Sequence, residues 1–236
     1  ETLYIVQKKI KLIIQEEHIY VSIQTNQLVK IFKKDFIMKD LKSTLRFNYP
    51  RKWSGGVKGN QYFLGFTDML YELNKMIPNT NARMIEIGSY MGESTMMFAS
   101  SDIFKEVHCI EPFTGYEEFN EMYDYTWEFV ENEFKINTRF FDNIILHKDF
   151  SYNVNNNFKD NDYDFIYIDG AHDYKSVLND LKMFLPKLKN NGVIGGHDWG
   201  HEWDSVKDAV TRTIGEPDMF FNDTSWIKRI SKEYIH

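Results

Sequence analysis

A single cysteine, Cys109, stands in this chain of 236 residues. One thiol excludes an internal disulfide and a cysteine-built zinc cluster, and it suits a reducing compartment. Long apolar runs are also missing. None approaches the roughly 18 residues of a spanning helix, so no membrane span is expected. Positive charge is in deficit, with 28 Lys and Arg against 35 Asp and Glu for a formal charge of −7. A dedicated nucleic-acid binder needs a basic face, and Lys33-Lys34 with Arg51-Lys52 are too few to make one. The opening Glu1-Thr2-Leu3-Tyr4 lacks the basic-then-apolar order of a secretion signal. A cytoplasmic protein is expected, and no internal repeat is evident.

The chain does hold ample material for a core. Hydrophobic residues make up 42% and aromatic residues 16%, enough apolar surface to offset chain entropy. Residues 1–24 alternate apolar and polar, with Ile10, Leu12 and Ile14 and then Ile19, Val21 and Ile23 around Glu16-Glu17-His18. That period predicts a β-hairpin. Leu28, Ile31, Phe32, Leu41 and Leu45 switch to helical spacing. Arg51–Asn60, with three glycines, reads as a loop, and a helix is expected from Gln61 to Met76, ending at Pro78.

From Arg83 onward, short apolar strands alternate with helical patterns. The expected strands are Met84–Ile87, Glu106–Ile110, Ile144–His147, Asp164–Ile168 and Gly192–Gly195, with a clear helix at Tyr174–Leu188. Met219–Phe221 and Trp226–Ile230 are expected to add a terminal antiparallel hairpin. This alternation predicts a doubly wound, Rossmann-like α/β fold with a mostly parallel sheet. Residues 1–59 form an N-terminal appendage and 60–236 the main domain.

The most informative segment is Ile85-Glu86-Ile87-Gly88-Ser89-Tyr90-Met91-Gly92-Glu93-Ser94-Thr95. A hydrophobic strand ends in an acid, enters a glycine turn and opens a helix expected to be capped by Ser or Thr. Gly88 permits a positive φ, and Gly92 is expected to let a ligand approach the backbone. In an open parallel sheet such a turn seats an adenosine-containing ligand. Glu111 ends the next strand about 20 residues on, where an acid accepts ribose hydroxyls. Dinucleotide turns usually carry a middle glycine and rest a pyrophosphate on the helix N-terminus. Here Tyr90 and Glu93 disfavour that, while Glu86 is placed to hold a cationic amino-acid tail. S-adenosylmethionine is therefore preferred over NAD.

These residues resemble a family. The run Glu86–Thr95, the strand end Ile110-Glu-Pro-Phe113, Ile168-Asp-Gly-Ala-His-Asp-Tyr174 and Gly195-Gly-His-Asp-Trp199 look like a class I S-adenosylmethionine-dependent methyltransferase. The branch resembled is that of the metal-dependent macrolide and aminocoumarin sugar O-methyltransferases, over roughly residues 60–230. The resemblance implies cofactor contacts from Glu86, Gly88, Ser89, Tyr90, Gly92, Ser94 and Glu111, with Asp149 near the adenine amino group and Phe150 packing its ring. It implies a Mg²⁺ site at Asp169, His197 and Asp198, although the resembled enzymes carry an acidic pair where this chain has His197-Asp198. Two carboxylates and one imidazole at neighbouring strand ends suit a hard divalent ion. It also implies a base at His172, three residues after Asp169, able to take a proton from an attacking hydroxyl.

Other residues carry plainer expectations. Asp173 caps the helix that follows it, His108 packs in a strand, and Glu117–Glu121 form a solvated acidic helix face. Trp199, His201 and Trp203 either line an acceptor pocket or pack under a loop. The expected activity is methyl transfer to a hydroxyl of a sugar or glycan-related small molecule. Methylation of a phosphorus-containing glycan decoration, a nicotinamide-dependent oxidoreductase and a non-catalytic assembly partner are the alternatives. Self-association through the N-terminal appendage is a further expectation.

Overall fold

The computed structural model describes residues 11–15, 18–22, 57–77, 81–114, 126–200 and 203–231. The chain divides into two compact units, Glu1–Asn60 and Gln61–His236. In the first, β1 (Lys11–Gln15) and β2 (His18–Ser22) pair antiparallel as the expected hairpin, with Ile13 opposite Tyr20. The expected helix over 26–47 lies outside the described residues, as does the acidic run 117–121. Helix α1 (Val57–Met76) starts four residues before the predicted Gln61, taking Gly59 into its first turn. Glycine weakens a helix interior by about 1 kcal/mol but does not forbid it.

The second unit is built on one seven-stranded sheet. Its strands are β3 (Ala82–Ile87), β4 (Phe104–Ile110), β5 (Ile144–His147), β6 (Tyr163–Ile168), β7 (Leu188–Gly196), β8 (Met219–Phe220) and β9 (Trp226–Arg229). The order is β5-β4-β3-β6-β7-β9-β8. The first five run parallel, and β9 lies antiparallel to both β7 and β8. The parallel strands are joined through α2 (Glu93–Ser100), α3 (Trp127–Thr138), α4 (Ser151–Val154) and α5 (Tyr174–Phe184), while α6 (Asp204–Ile214) links β7 to the terminal hairpin.

Burial explains the apolar runs Met84–Ile87, Val107–Ile110 and Phe165–Ile168, which Glu86 and His108 alone interrupt. All three are buried at every position because helices cover both faces. Edge strand β5 is only half-buried, which is why its run is the shortest of the parallel strands. One face packs Ile85, Ile87, Ile166, Ile168 and Ile194 against Val177, Leu181, Val206 and Val210 of α5 and α6. The other face is aromatic. Phe98 of α2 lies 5.0 Å from Phe66 of α1 and 5.1 Å from Tyr167 of β6, in tilted geometries that ring quadrupoles favour. The expected helix Tyr174–Leu188 stops earlier, at Phe184, and passes into a 3-10 turn at Leu185–Lys187. Pro186 cannot continue the α-helical ladder, and Leu188 already belongs to β7.

His108 is buried, as expected, but it has a partner the sequence did not announce. Its Nδ1 lies 3.0 Å from Nε2 of His147, and the two rings stack at 5.3 Å. Burial lowers the pKa of both, with Glu106 opposing and Arg83 adding to the fall at His108. The unfolded chain therefore takes up these protons first, as pH falls through about 6.5. Their contribution to stability is present above that pH and lost on acidification. Denaturant midpoints at pH 7.5 and 5.5 are expected to fall less in His147→Gln than in the parent chain. An equal fall in both proteins would contradict this.

Candidate functional site

In this sheet the chain leaves β3 toward β4 on one side and later places β6 on the other. Such a reversal opens a crevice at the carboxyl ends of the strands. Backbone hydrogen bonds hold the rim together: Gly88 N–H to Ile110 O at 3.0 Å, Asp169 N–H to Ile87 O at 2.8 Å, and His197 N–H to Ile168 O at 3.2 Å.

The glycine turn sits at that rim. Gly88 has φ 86°, and a Cβ there would lie 1.9 Å from the carbonyl oxygen of Asp169. Only glycine fits. Gly92 has φ 80°, and a Cβ there would meet Phe134 at 2.9 Å and Thr138 at 3.0 Å. The close approach expected for a ligand is thus made by helix α3, a correction to the reading of Gly92. A second correction concerns the cap of α2. Gly92 is its N-cap and offers no side-chain hydrogen bond. Ser94 instead donates to Glu86 at 2.5 Å, Ser89 donates to the same carboxylate at 2.9 Å, and Thr95 completes the set.

Glu86 is therefore a buried strut under the turn, accepting three hydroxyls, and not an open partner for a cationic tail. Burial pushes its pKa up to about 7 against those donors. Glu111 is likewise buried. Its carboxylate accepts N–H groups of Tyr90 at 2.9 Å and Phe113 at 3.0 Å, so it ties the end of β4 to the turn. Burial raises its pKa, and the backbone donors oppose the rise. Tyr90 takes a positive φ of 46° and meets Trp127 edge-on at 6.3 Å. Asn137 donates to the Met91 carbonyl at 2.9 Å, a brace that the sequence did not suggest.

The carbonyl of His147 accepts from Glu111 N–H at 3.2 Å and from Asp149 N–H at 2.9 Å, which brings the ends of β4 and β5 together. Asp149 is half-buried and accepts from Asn153 at 2.7 Å and Phe150 N–H at 2.7 Å. Phe150 stacks on Tyr152 at 5.2 Å.

Beyond the turn lies an ionisable cluster. Nε2 of His172 is 2.8 Å from Asp198, and Nδ1 of His197 is 3.1 Å from Asp198 and 3.9 Å from Asp169. The four side chains keep between 21% and 35% of their surface exposed, so the cluster opens to the crevice. Burial pushes the Asp198 carboxyl up, but hydrogen bonds with His172 and His197 outweigh it and hold it below the usual range. Burial raises Asp169, with His197 opposing and Asp198 adding to the rise. Burial disfavours charge on both imidazoles. Asp198 nevertheless raises His172, and Asp169 with Asp198 raises His197 to about 9. Asp198 has φ 60°, a strained position of the kind found at functional sites.

Ligand atoms of Asp169, His172 and Asp198 all lie within 4.8 Å of one another. The expected metal set had His197 in place of His172, so the geometry gathers a different third member. The two carboxylates suit a hard ion such as Mg²⁺ or Mn²⁺. His172 is fixed in other ways too. Trp203 stacks on it at 4.5 Å, and Ser205 donates to its carbonyl at 2.6 Å. Asp173 caps α5 by accepting from Lys175 N–H and Ser176 N–H, each at 3.1 Å. Trp199 packs on Phe220 at 5.0 Å, while His201 lies outside the described residues.

The terminal hairpin supports His197 from behind. Thr224, at φ 72°, places Oγ1 3.4 Å from His197 Nε2. Buried Asp223 accepts from Ser225 Oγ at 2.6 Å, and Ser225 meets the Tyr167 hydroxyl at 3.1 Å. Gly65 of α1 packs on this turn, where an added Cβ would lie 2.3 Å from Asp223 N. Gly65→Ala is expected to lower stability by about 1–3 kcal/mol through overpacking. An unchanged urea midpoint would contradict that packing.

Comparisons with known proteins agree with this architecture. Residues 85–199 match the family model of a methyltransferase domain. A protein of Corynebacterium glutamicum superposes with TM-score 0.50 at 12% identity, covering 91% of this chain and 94% of that one, a likeness of fold. Two weaker likenesses have TM-score 0.48. A TDP-rhamnose 3'-O-methyltransferase of calicheamicin biosynthesis is 10% identical, with 86% of this chain and 91% of that one covered. Phosphoethanolamine N-methyltransferase 1 of Haemonchus contortus, in complex with phosphoethanolamine and S-adenosylhomocysteine, is 14% identical, with 76% of this chain covered. The present chain spans about a third of the length of that enzyme, 34%. No curated protein sequence matches. Among the described residues, no helix is long and apolar enough to cross a membrane. With its glycine turn and its acid-ended strands, the matched span 85–199 is a methyltransferase domain on a Rossmann-like, mostly parallel sheet.

Proposed function

We propose that the chain transfers a methyl group from S-adenosylmethionine to a hydroxyl of a sugar or glycan-related small molecule in the cytoplasm. The observation that carries this reading is the His172–Asp198 contact of 2.8 Å beside Asp169, at the carboxyl ends of β6 and β7. The turn around Gly88, Ser89 and Tyr90 forms the floor for the donor, and Glu111, Asp149 and Phe150 border its nucleoside end. Glu86 with Ser94 stiffens the floor from below.

With Nε2–H of His172 donated to Asp198, Nδ1 keeps the lone pair and is the basic nitrogen. Stacking by Trp203 holds the ring in that orientation. The acceptor hydroxyl oxygen attacks the methyl carbon, the carbon–sulfur bond breaks in line, and the hydroxyl proton passes to Nδ1. S-adenosylhomocysteine leaves. Positioning supplies most of the acceleration in such a displacement. Asp169 and Asp198 would hold a divalent ion, which when bound lowers the acceptor hydroxyl's pKa and orients it. The nitrogen that donates to Asp198 cannot also ligate, so His172 is assigned the base role.

The test is transfer of isotopically labelled methyl from S-adenosylmethionine to a panel of sugars, nucleotide sugars and amines, with Mg²⁺ and with chelator. Label on a sugar hydroxyl, lost with chelator, is the expected result. Label on amines alone would overturn the hydroxyl acceptor, and unchanged transfer with chelator would remove the ion.

A further inference from the structure

Behind the ionisable cluster lies a small cavity lined by Asp169, His172, His197 and Asp198 on one side and Val206 and Trp226 on the other. It has room for about one water molecule. Two of its lining residues carry unmet hydrogen-bonding capacity of opposite sense. The indole Nε1–H of Trp226 is a buried donor without a partner among the described residues, on a side chain only 1% exposed. The Asp169 carboxylate is an acceptor, and His197 Nδ1 stands 3.9 Å from it, too far for a hydrogen bond. Buried polar groups are almost always satisfied, by protein or by ordered water. A water needs two or more polar partners, and this cavity offers a donor and an acceptor.

We propose that one resident water occupies this cavity, accepting a hydrogen bond from Trp226 Nε1–H and donating one to the Asp169 carboxylate. Trp226 is thereby a positioning residue. It reaches Asp169 through the water and fixes a carboxylate that no donor among the described residues holds. The terminal strand β9 carries Trp226, so this hairpin braces the cluster at a second point besides Thr224. The assignment depends on two unmet groups sharing one cavity and stands whether or not the acceptor is a sugar.

The test is nuclear magnetic resonance on the ¹⁵N-labelled full chain with chelator present. Five tryptophans give five indole signals, and Trp226→Phe identifies one by its loss. If that variant does not fold, substitution of the other four in turn identifies it by elimination. The expected result is a water cross-peak at the Trp226 indole proton with the sign of a long-lived contact. It should disappear in Asp169→Ala and persist in Ser205→Ala, which leaves both partners in place. An indole proton with no water cross-peak and a shift typical of an unbonded N–H would overturn the proposal. Persistence of the cross-peak in Asp169→Ala would overturn the bridge.

Discussion

Gly88→Ala is expected to abolish S-adenosylmethionine binding and to lower stability by about 4 kcal/mol or more, in the range reserved for severe core faults. Two effects add. The backbone sits at φ 86°, which a side chain occupies at a penalty of about 1–2 kcal/mol. The new Cβ would also lie 1.9 Å from the Asp169 carbonyl oxygen. That oxygen cannot retreat freely, because Asp169 N–H is bonded to Ile87 O at 2.8 Å. Relief therefore means parting β3 from β6 at the floor of the crevice. Gly92→Ala provides the contrast. At φ 80° it carries the same backbone penalty, but its clash is with the ring of Phe134, a side chain that can yield, so a smaller loss of about 2–3 kcal/mol is expected. Urea midpoints and titration calorimetry on both variants check this. A Gly88→Ala protein with parental stability and intact binding would refute the account of the turn.

His172→Ala is expected to lower methyl transfer by about 10²–10⁴-fold, the usual share of a positioned base, while leaving donor affinity within a few-fold. Asp198→Ala should do at least as much. It removes the 2.8 Å partner that fixes the imidazole and one of the two carboxylates assigned to the ion. Single-turnover rates on an acceptor found by the labelling panel, set beside calorimetric donor affinity, separate chemistry from folding. Unchanged rates in His172→Ala would move the base elsewhere. Loss of donor binding in either variant would mean that the cluster builds the crevice and does not act on the acceptor.

The parallel core could be read from the chain because strands buried on both faces must be apolar at consecutive positions. Phe165–Ile168 obeys this, and Met84–Ile87 and Val107–Ile110 do so except at Glu86 and His108, each buried with hydrogen-bonding partners of its own. The glycine turn was equally legible, since Gly88 stands where only glycine can go. The role of Gly92 was not. An absent Cβ looks the same in sequence whether a ligand or a helix fills the space, and Phe134 comes from a helix more than forty residues away. The same limit hid the fate of Glu86, whose three hydroxyl partners follow it in the chain but face it only because the turn folds back.

At the cluster, the residue types were readable while their grouping was not. Asp198 leaves β7 in a left-handed conformation, and that local twist decides that it meets His172 as well as its neighbour His197. Thr224 and Trp226 were beyond reach for another reason. They arrive on an antiparallel hairpin from the far end of the sequence, and no spacing rule links them to Asp169 or His197.

The crevice at the ends of β3, β4 and β6 is proposed to hold S-adenosylmethionine. Titration calorimetry with S-adenosylmethionine and S-adenosylhomocysteine, once with Mg²⁺ and once with chelator, addresses it directly. Micromolar binding of both ligands in both conditions is predicted, because the donor floor is assigned to Gly88, Tyr90 and Glu111, with no ion. Absence of binding in either condition, from a protein that is folded, would contradict it.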